Sequence, residues 1–334
     1  MKTGKVPPDI LKKAVYPFLG QKRSEVLVHS GFGEDCCIID FGEYVAVVST
    51  DPITGADTAG GYLAVFVACN DIAACGARPI GILVTLLLPE GSGEDTLLRI
   101  MENVHKACQK IGIEVLGGHS EVTPAVTKPV ISATAIGMAK RDNFVTSAGA
   151  SPGDDVIVTK FIGLEGTAVL ALDFEEYLRG KLPGEVIKRA QSFVDDISVI
   201  QDGLTAAGAG ATAMHDITEG GLLGALWELA EASGVGMEIY RERIPILPET
   251  EAVCRAFELD PLGLISSGSM LICSGDGQKV VDALREKSIP ATVIGKVTDG
   301  GRFILDADKK IPIVPPERDE LYRAIENVKN KKKN

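Results

Sequence analysis

The segment Ala68–Pro79, ACNDIAACGARP, sets a carboxylate, Asp71, beside Asn70 in a run otherwise built of Ala, Cys and Ile. From Tyr62 to Cys75 the chain is apolar on every side of a helical projection, which predicts a helix buried all round. Gly76, Arg78 and Pro79 supply its stop. Aspartate is almost never fully buried without a partner, so Asp71 needs one. An ordinary structural reading gives it Arg78; a functional reading gives it a cation.

Working outward from that helix, strand and helix signals alternate. YVAVVSTD (Tyr44–Asp51) reads as a strand, GILVTLLLP (Gly81–Pro89) as a nearly all-apolar one, and Glu94–Ile111 as a helix with Leu97, Leu98, Met101, Val104 and Cys108 on one face. IEVLGG and PVISATAIGMA add two further strands. The first half is therefore expected to be an α/β or α+β layer structure. SAGASPGDD (Ser147–Asp155) concentrates Gly, Ser and Pro, and the domain boundary is placed there, giving domains 1–150 and 151–334. The second half opens on the strand DVIVTK. Helices are expected near residues 197–207, 220–232, 248–258 and 277–287, with strands near 235–246, 269–274 and 292–297.

The 334 residues carry 45% hydrophobic side chains and a net charge of −12, with a mean hydropathy of +0.16 and a pI near 4.9. That is material for sizeable cores, and its negative field argues against nucleic-acid and anionic-membrane partners. The basic run KNKKKN at the end reads as a solvated, frayed tail. No apolar run approaches the roughly 18 residues of a membrane span, and the start lacks the core of a signal peptide, so a cytoplasmic location is expected. Seven cysteines without a CxxC or Cys/His metal spacing fit reduced, mostly buried thiols.

Asp71 has company. GFGEDCCIID places Asp35 just after Gly31 and Gly33, and VVSTD places Asp51 at the end of an apolar strand, where α/β sheets bind ligands. Three carboxylates on a loop, a strand end and a buried helix suit a hard cation such as Mg²⁺, which takes oxygen ligands and bridges to phosphates. In the second half, HDITEGGLLGALWELAEASG sets Asp216 and Glu219 before a glycine pair and a helix. Thr218 as an N-cap would explain the acids as mere capping, but not His215 or Gly220–Gly221. FIGLEGTAVLA opens a helix near Gly166–Thr167, whose amino end favours anions. It lacks the Gly-Lys-Ser/Thr ending of a phosphate-binding loop.

Taken in order, GEDCCIID, STDPI, NDIAACGARP, GGHSEVT, GLEGT and HDITEGGLLGALWELAEASG resemble the aminoimidazole ribonucleotide (AIR) synthase superfamily, and most its HypE-like hydrogenase-maturation branch. The resemblance runs from about Gly31 to Val297. It implies a two-domain α/β and α+β fold, with the first domain forming an intersubunit β-barrel in a homodimer. It implies ATP and Mg²⁺ as cofactors, used to activate a carbonyl-type oxygen or to phosphorylate a small molecule or a maturation partner's group. Carried over position by position, it implies Asp35, Asp51, Asp71 and Asp216 as metal ligands. Gly31, Gly33, Asp35, Asp51, Asn70, Asp71, Gly117 and Gly118 are implied as nucleotide-binding, and His119, Asp216 and Glu219 as catalytic.

The chain departs from the pattern at Glu34-Asp35-Cys36-Cys37, where relatives have Asp-Asp-Ala-Ala, and at His119, where many have Asp. No cysteine follows Cys273, so the self-modification of a terminal cysteine that marks HypE proteins is not expected. Deleting residues 328–334 is expected to leave nucleotide binding intact. Cys36, Cys37 and Cys75 read as small buried hydrophobes, since neighbouring carboxylates would raise their thiol pKa. Three functions follow from the resemblance: an ATP-dependent enzyme acting on a small molecule, a maturation factor acting on a partner protein, and a nucleotide-binding regulatory protein without turnover.

Overall fold

The computed structural model describes residues 1, 3–31, 33–54, 56 and 59–331, with side chains through Val328. The first half is a six-stranded sheet built from β1 (Val26–Val28), β2 (Cys37–Asp40), β3 (Tyr44–Ile53), β4 (Arg78–Leu88), β5 (Glu114–Val122) and β6 (Val130–Lys140), in the order β1-β2-β3-β6-β4-β5. Its helices are α1 (Pro8–Ala14), α2 (Gly60–Ala74) and α3 (Glu94–Ile111). Only β4 and β5 are parallel, joined through α3 as a parallel pair requires; the other pairings are antiparallel.

The second half is a seven-stranded sheet of β7 (Asp155–Thr159), β8 (Ala213–Asp216), β9 (Gly236–Tyr240), β10 (Met270–Ser274), β11 (Ala291–Thr298), β12 (Arg302–Asp306) and β13 (Lys309–Pro312). Their order is β13-β12-β9-β11-β7-β10-β8, antiparallel apart from the β9–β12 pair. Its helices are α4 (Leu164–Asp173), α5 (Glu175–Arg179), α6 (Gly184–Ser192), α7 (Ile200–Ala209), α8 (Gly221–Ser233), α9 (Pro248–Phe257), α10 (Gly277–Glu286) and α11 (Glu320–Lys331).

α2 is the axis of the molecule. Every residue but Tyr62 is buried along it, because it packs on β3, β6 and α3 of its own half and on α7 and β8 of the other. The largest apolar cluster accordingly joins Phe66 and Ile72 of α2 to Leu170 of α4 and Leu321 of α11, with no break at the boundary between halves. Two contacts hold that crossing. Asn70 Nδ2 donates to the carbonyl of Ile197, and Asn70 Oδ1 accepts from the amide of Val199, each at 2.9 Å. At Gly203 a Cβ would lie 2.1 Å from the carbonyl oxygen of Ala73, so only glycine admits this approach.

The tail is more ordered than its composition suggests. α11 runs to Lys331 and buries Val328 in the same cluster. A deletion from residue 328 would thus take a core side chain, whose cost in stability is separate from the expected retention of nucleotide binding. Lys332–Asn334, the end of the supposed frayed tail, lie outside the described residues. Among the described residues no helix is long and apolar enough to cross a membrane.

Candidate active site

Strand alternation puts Val45, Val47, Ser49 and Asp51 of β3 on the sheet face that looks onto α2. Asp71 stands on that helix, 6% exposed, and its Oδ2 accepts a short hydrogen bond from Ser49 Oγ. Asp51, at the end of the same strand, sets a second negative charge near this carboxyl. Arg78 is not the partner; it is exposed at the head of β4. Burial, followed by the charges of Asp216 and Asp51, lifts the Asp71 carboxyl well above the usual range.

Asp35 enters from the loop before β2. Gly33, at φ +78°, lets that loop press on α8, where a Cβ would meet the Glu228 carbonyl at 2.7 Å. From the other half, the fully buried β8 delivers His215 and Asp216. His215 Nδ1 lies 2.9 Å from Asp35 Oδ1 and 3.9 Å from Asp216 Oδ1, while Nε2 lies 3.2 Å from Glu228 Oε2. Burial pulls the imidazole's pKa down, but Asp35, Asp216 and Glu228 together hold it well above the ordinary value. Burial pushes Asp35 up to about 7 against the opposing pull of His215.

Asp216 is the most exacting member. It is 1% exposed, and neither carboxylate oxygen accepts a hydrogen bond from any described residue. His215 offsets part of its charge from 3.9 Å, but a buried carboxylate without hydrogen bonds still favours a ligand that completes it. Asp35, His215 and Asp216 can each offer one ligand atom, and these atoms lie within 4.8 Å of one another.

Asp35, Ser49, Asp51, Asp71 and His215 line a cavity of about 570 Å³ together with Glu165, Thr218, Glu219, Glu228 and Asp319. Burial raises Glu165 and Asp319 to about 7. Lys5, from the segment before α1, enters the same cavity; its Nζ lies 3.2 Å from Glu228 Oε1, and its backbone amide donates to Glu219 Oε1 at 2.8 Å. A second cavity of about 840 Å³ adjoins the first, and the two share Lys5, Gly33, Glu219, Glu228 and Asp319.

Of the residues expected at the site, Gly33, Asp35, Asp51, Asp71 and Glu219 line the first cavity and Asp216 stands behind it, whereas Gly31 lines the second. The chain by itself does not bring Gly117, Gly118 and His119 to the acidic cluster. They lie on β5, the outer edge of the first sheet, with His119 exposed and 3.3 Å from Glu121. Gly118 has a packing reason, since a Cβ there would fall 1.9 Å from the Val84 carbonyl. Asn70 is given to the α2 crossing and does not line either cavity.

Thr218 does not cap α8. The cap position is Gly220, at φ +94°, and its amide donates to Asp319 Oδ2 at 2.6 Å. The amino end of α4 is likewise no open anion site, for its first turn is buried and begins at Leu164. Cys36 and Cys75 are buried, and burial keeps the Cys36 thiol protonated.

His215, Glu228, Ser49, Glu165, Asp319 and Lys5 were not read as site residues from sequence. Glu165 carries the same signal as Asp71, an acid inside an apolar run. Lys5 carries none, being one cation in a short polar segment.

Two family descriptions match the chain: AIR synthase related protein, N-terminal domain, over residues 33–139, and its C-terminal domain over residues 151–308. The chain belongs to the AIR synthase related family. A Methanocaldococcus jannaschii protein described as a hydrogenase expression/formation protein is 29% identical, with 88% of each chain covered. Carbamoyl dehydratase HypE of Cupriavidus necator is 30% identical over 75% of this chain and 71% of its own. Selenide, water dikinase of Pasteurella multocida is 29% identical over 96% and 89%. The crystal structure of HypE from E. coli superimposes with a TM-score of 0.72 at 25% identity, covering 84% of this chain and 88% of that one. The architecture is thus the two-domain α/β fold of this family.

Proposed function

We propose that the acidic cavity binds ATP with Mg²⁺, and that the chain uses it to activate a carbonyl-type oxygen or to phosphorylate a small molecule or a partner protein's group. The observation that carries this reading is Asp216, a buried carboxylate neither of whose oxygens accepts a hydrogen bond among the described residues, clustered with Asp35 and His215 and close enough to Asp71 to raise its pKa. The donor set is all oxygen apart from His215, as a hard cation prefers. Asp35, Asp51, Asp71 and Asp216 would hold Mg²⁺, which when bound neutralises phosphate charge.

The chain's own residues do the remaining work. Ser49 orients Asp71 through its hydroxyl, and His215 orients Asp35. Glu219 lines both cavities and is assigned to the acceptor's proton. A carbamoyl dehydratase and a dikinase among the relatives support an ATP-driven reaction. Calorimetry is expected to show ATP binding in the presence of Mg²⁺ and little in excess chelator; equal binding in both, or none in either, would reject the proposal.

The same reading includes a homodimer. The sheet face turned away from α2 carries Tyr44, Ile80, Leu83 and Met138, each at least 39% exposed, with Leu116 beside them. An apolar sheet face and an exposed edge strand, β5, are what a second copy would cover. Sedimentation at micromolar concentration is expected to give a dimer, and a single monomer boundary would count against it.

A further inference from the structure

We propose that Glu165, Ser267 and Asp319 form the acceptor's side of the first cavity, and that the acceptor they hold is a small molecule carrying a protonated aliphatic amine. The inference rests on the reading of the cavity as an MgATP site and names the substrate class of that site.

The wall is built from two pieces of the second half. Gly166 leaves no room for a Cβ against Leu264, and its amide donates to the carbonyl of Ile265 at 3.0 Å, so the first turn of α4 lies on the segment that follows Leu264. That contact sets Glu165 beside Ser267. The run Ser266-Ser267-Gly268-Ser269 offers three hydroxyls. Ser266 Oγ accepts from the amide of Gly163 at 2.7 Å and is bonded to Ser269 Oγ at 2.7 Å. The Ser267 hydroxyl is fully buried and has no hydrogen-bond partner among the described residues, and the same holds for Oε2 of Glu165, a residue only 4% exposed. Both residues line the cavity. Buried polar atoms left open in a cavity wall mark a place that a ligand completes.

Charge selects the ligand. Beyond burial, the charges of Asp319 and Asp216 both oppose ionisation of Glu165, and Ser267 offsets only part of that. The cavity's own cations are spent elsewhere. Lys5, the one lysine or arginine among its described lining residues, is engaged with Glu228, and His215 with Asp35 and Glu228. Asp319 is held by the amides of Gly220 at 2.6 Å and Leu321 at 2.8 Å rather than by a base. A phosphate or carboxylate on this wall would be repelled, and a neutral hydroxyl would leave the charge of Glu165 uncompensated. An ammonium supplies three donors and a positive charge to oxygens that only accept.

Position agrees with charge. Burial raises the pKa of the Tyr322 phenol, and the charges of Glu219, Asp319 and Glu165 all add to it, so these three acids surround one space. The charge of Asp216, from the proposed metal cluster, reaches Glu165 as well. A molecule anchored at Glu165 therefore lies near both Glu219, assigned to the acceptor's proton, and the cation. The ammonium has no lone pair and cannot attack a phosphoryl group. It is the handle, and an oxygen elsewhere on the same molecule is the reacting atom. A cavity of about 570 Å³ with Glu165 buried in its wall suits a free small molecule better than a side chain of a folded partner.

The test compares probes of one size and different charge. Wild-type protein, Glu165→Gln and Ser267→Ala, each saturated with the magnesium complex of a non-hydrolysable ATP analogue, are melted at matched ionic strength. The probes, each at millimolar concentration, are aminobutanol, butanediol, hydroxybutyrate and a blocked Gly-Lys-Gly peptide. Aminobutanol is expected to raise the wild-type melting temperature by about 2 °C, and the diol and the hydroxy acid by less than about 0.5 °C. Glu165→Gln is expected to lose the shift, and Ser267→Ala, which keeps the carboxylate, to show a smaller one. An equal shift from the diol or the acid, a full shift in Glu165→Gln, or no shift from aminobutanol overturns the assignment, while stabilisation by the nucleotide analogue leaves the MgATP reading standing. A shift from the peptide without one from aminobutanol overturns the small-molecule class. A wild-type protein that the magnesium nucleotide does not stabilise rejects the MgATP reading and the acceptor assignment with it. Should Glu165→Gln fail to fold, Ser267→Ala decides, since an undiminished shift there overturns the proposed wall.

Discussion

Asp71→Asn is expected to weaken MgATP binding by about 100-fold while raising the melting temperature of the nucleotide-free protein. The two effects have one origin. Asp71 is buried on the axial helix, and burial and the neighbouring carboxylates already drive its pKa upward. Its ionised form therefore destabilises the folded state unless a cation accompanies it. Asparagine keeps the shape and still accepts from Ser49 Oγ, so the packing survives and the charge problem disappears. What is lost is an anionic oxygen of the cluster. Removing even a supporting partner at a metal site costs 10–100-fold in affinity, and a group proposed as a ligand belongs at the upper end. Calorimetry and thermal unfolding on the same samples read both quantities. An unchanged MgATP affinity would remove Asp71 from the site, and a lower melting temperature would show that its role is structural.

The reason Asp71 could be read from sequence is also the reason other site residues could not. Acids stand out only where their surroundings are apolar, as at Asp71 in α2 and Asp51 closing β3. Glu228 sits on α8 with Trp227 and Glu231 nearby, and in sequence it looks like a solvent-facing helix position; the approach of β8 and the segment before α1 turns it inward. Regular elements followed the same logic. α2 and α3 were legible because their apolar patterns run for four or five turns.

The strand β8 was not legible, because four residues hold too little periodicity, and its burial comes from pairing with β10 and from the elements packed on it. Strand β9 ends at Tyr240, short of the expected 246, where Arg241–Arg243 form a 3-10 turn ahead of Pro245. The glycine pair 117–118 looked like a ligand loop. In the fold Gly118 comes too close to the Val84 backbone for a side chain, whereas Gly117 would meet only Leu83 Cδ2 at 3.6 Å, and sequence alone does not tell a packing glycine from a ligand-binding one.

The acidic cavity exists only where the two halves meet, and that gives Gly203 a large structural consequence. Asp35, Asp51 and Asp71 come from the first half; His215, Asp216, Glu219 and Glu228 come from the second. Their spacing is set by the crossing of α2 and α7. At that crossing a Cβ on residue 203 would lie 2.1 Å from the Ala73 carbonyl oxygen and 2.7 Å from its carbon. Backbone cannot swing aside as a flexible side-chain end does, so the helices must separate. Forcing methyl groups into a close-packed contact of this kind costs typically 1–3 kcal/mol, and more where backbone has to move.

Gly203→Val is therefore expected to lower stability by about 3 kcal/mol or more. It is also expected to weaken MgATP binding in whatever fraction stays folded, because displaced helices pull the carboxylates of one half from those of the other. Asn70→Ala separates the two consequences. It leaves the carbonyl of Ile197 and the amide of Val199 unpaired at about 1–3 kcal/mol each, without imposing a shift of the helix axes. If Asn70→Ala loses stability but retains nucleotide affinity while Gly203→Val loses both, spacing across the crossing governs the site. If Gly203→Val unfolds at the wild-type denaturant midpoint and binds as the wild type does, the crossing does not set the cavity, and the carboxylates must be held together by the loops that bear Asp35 and Glu219.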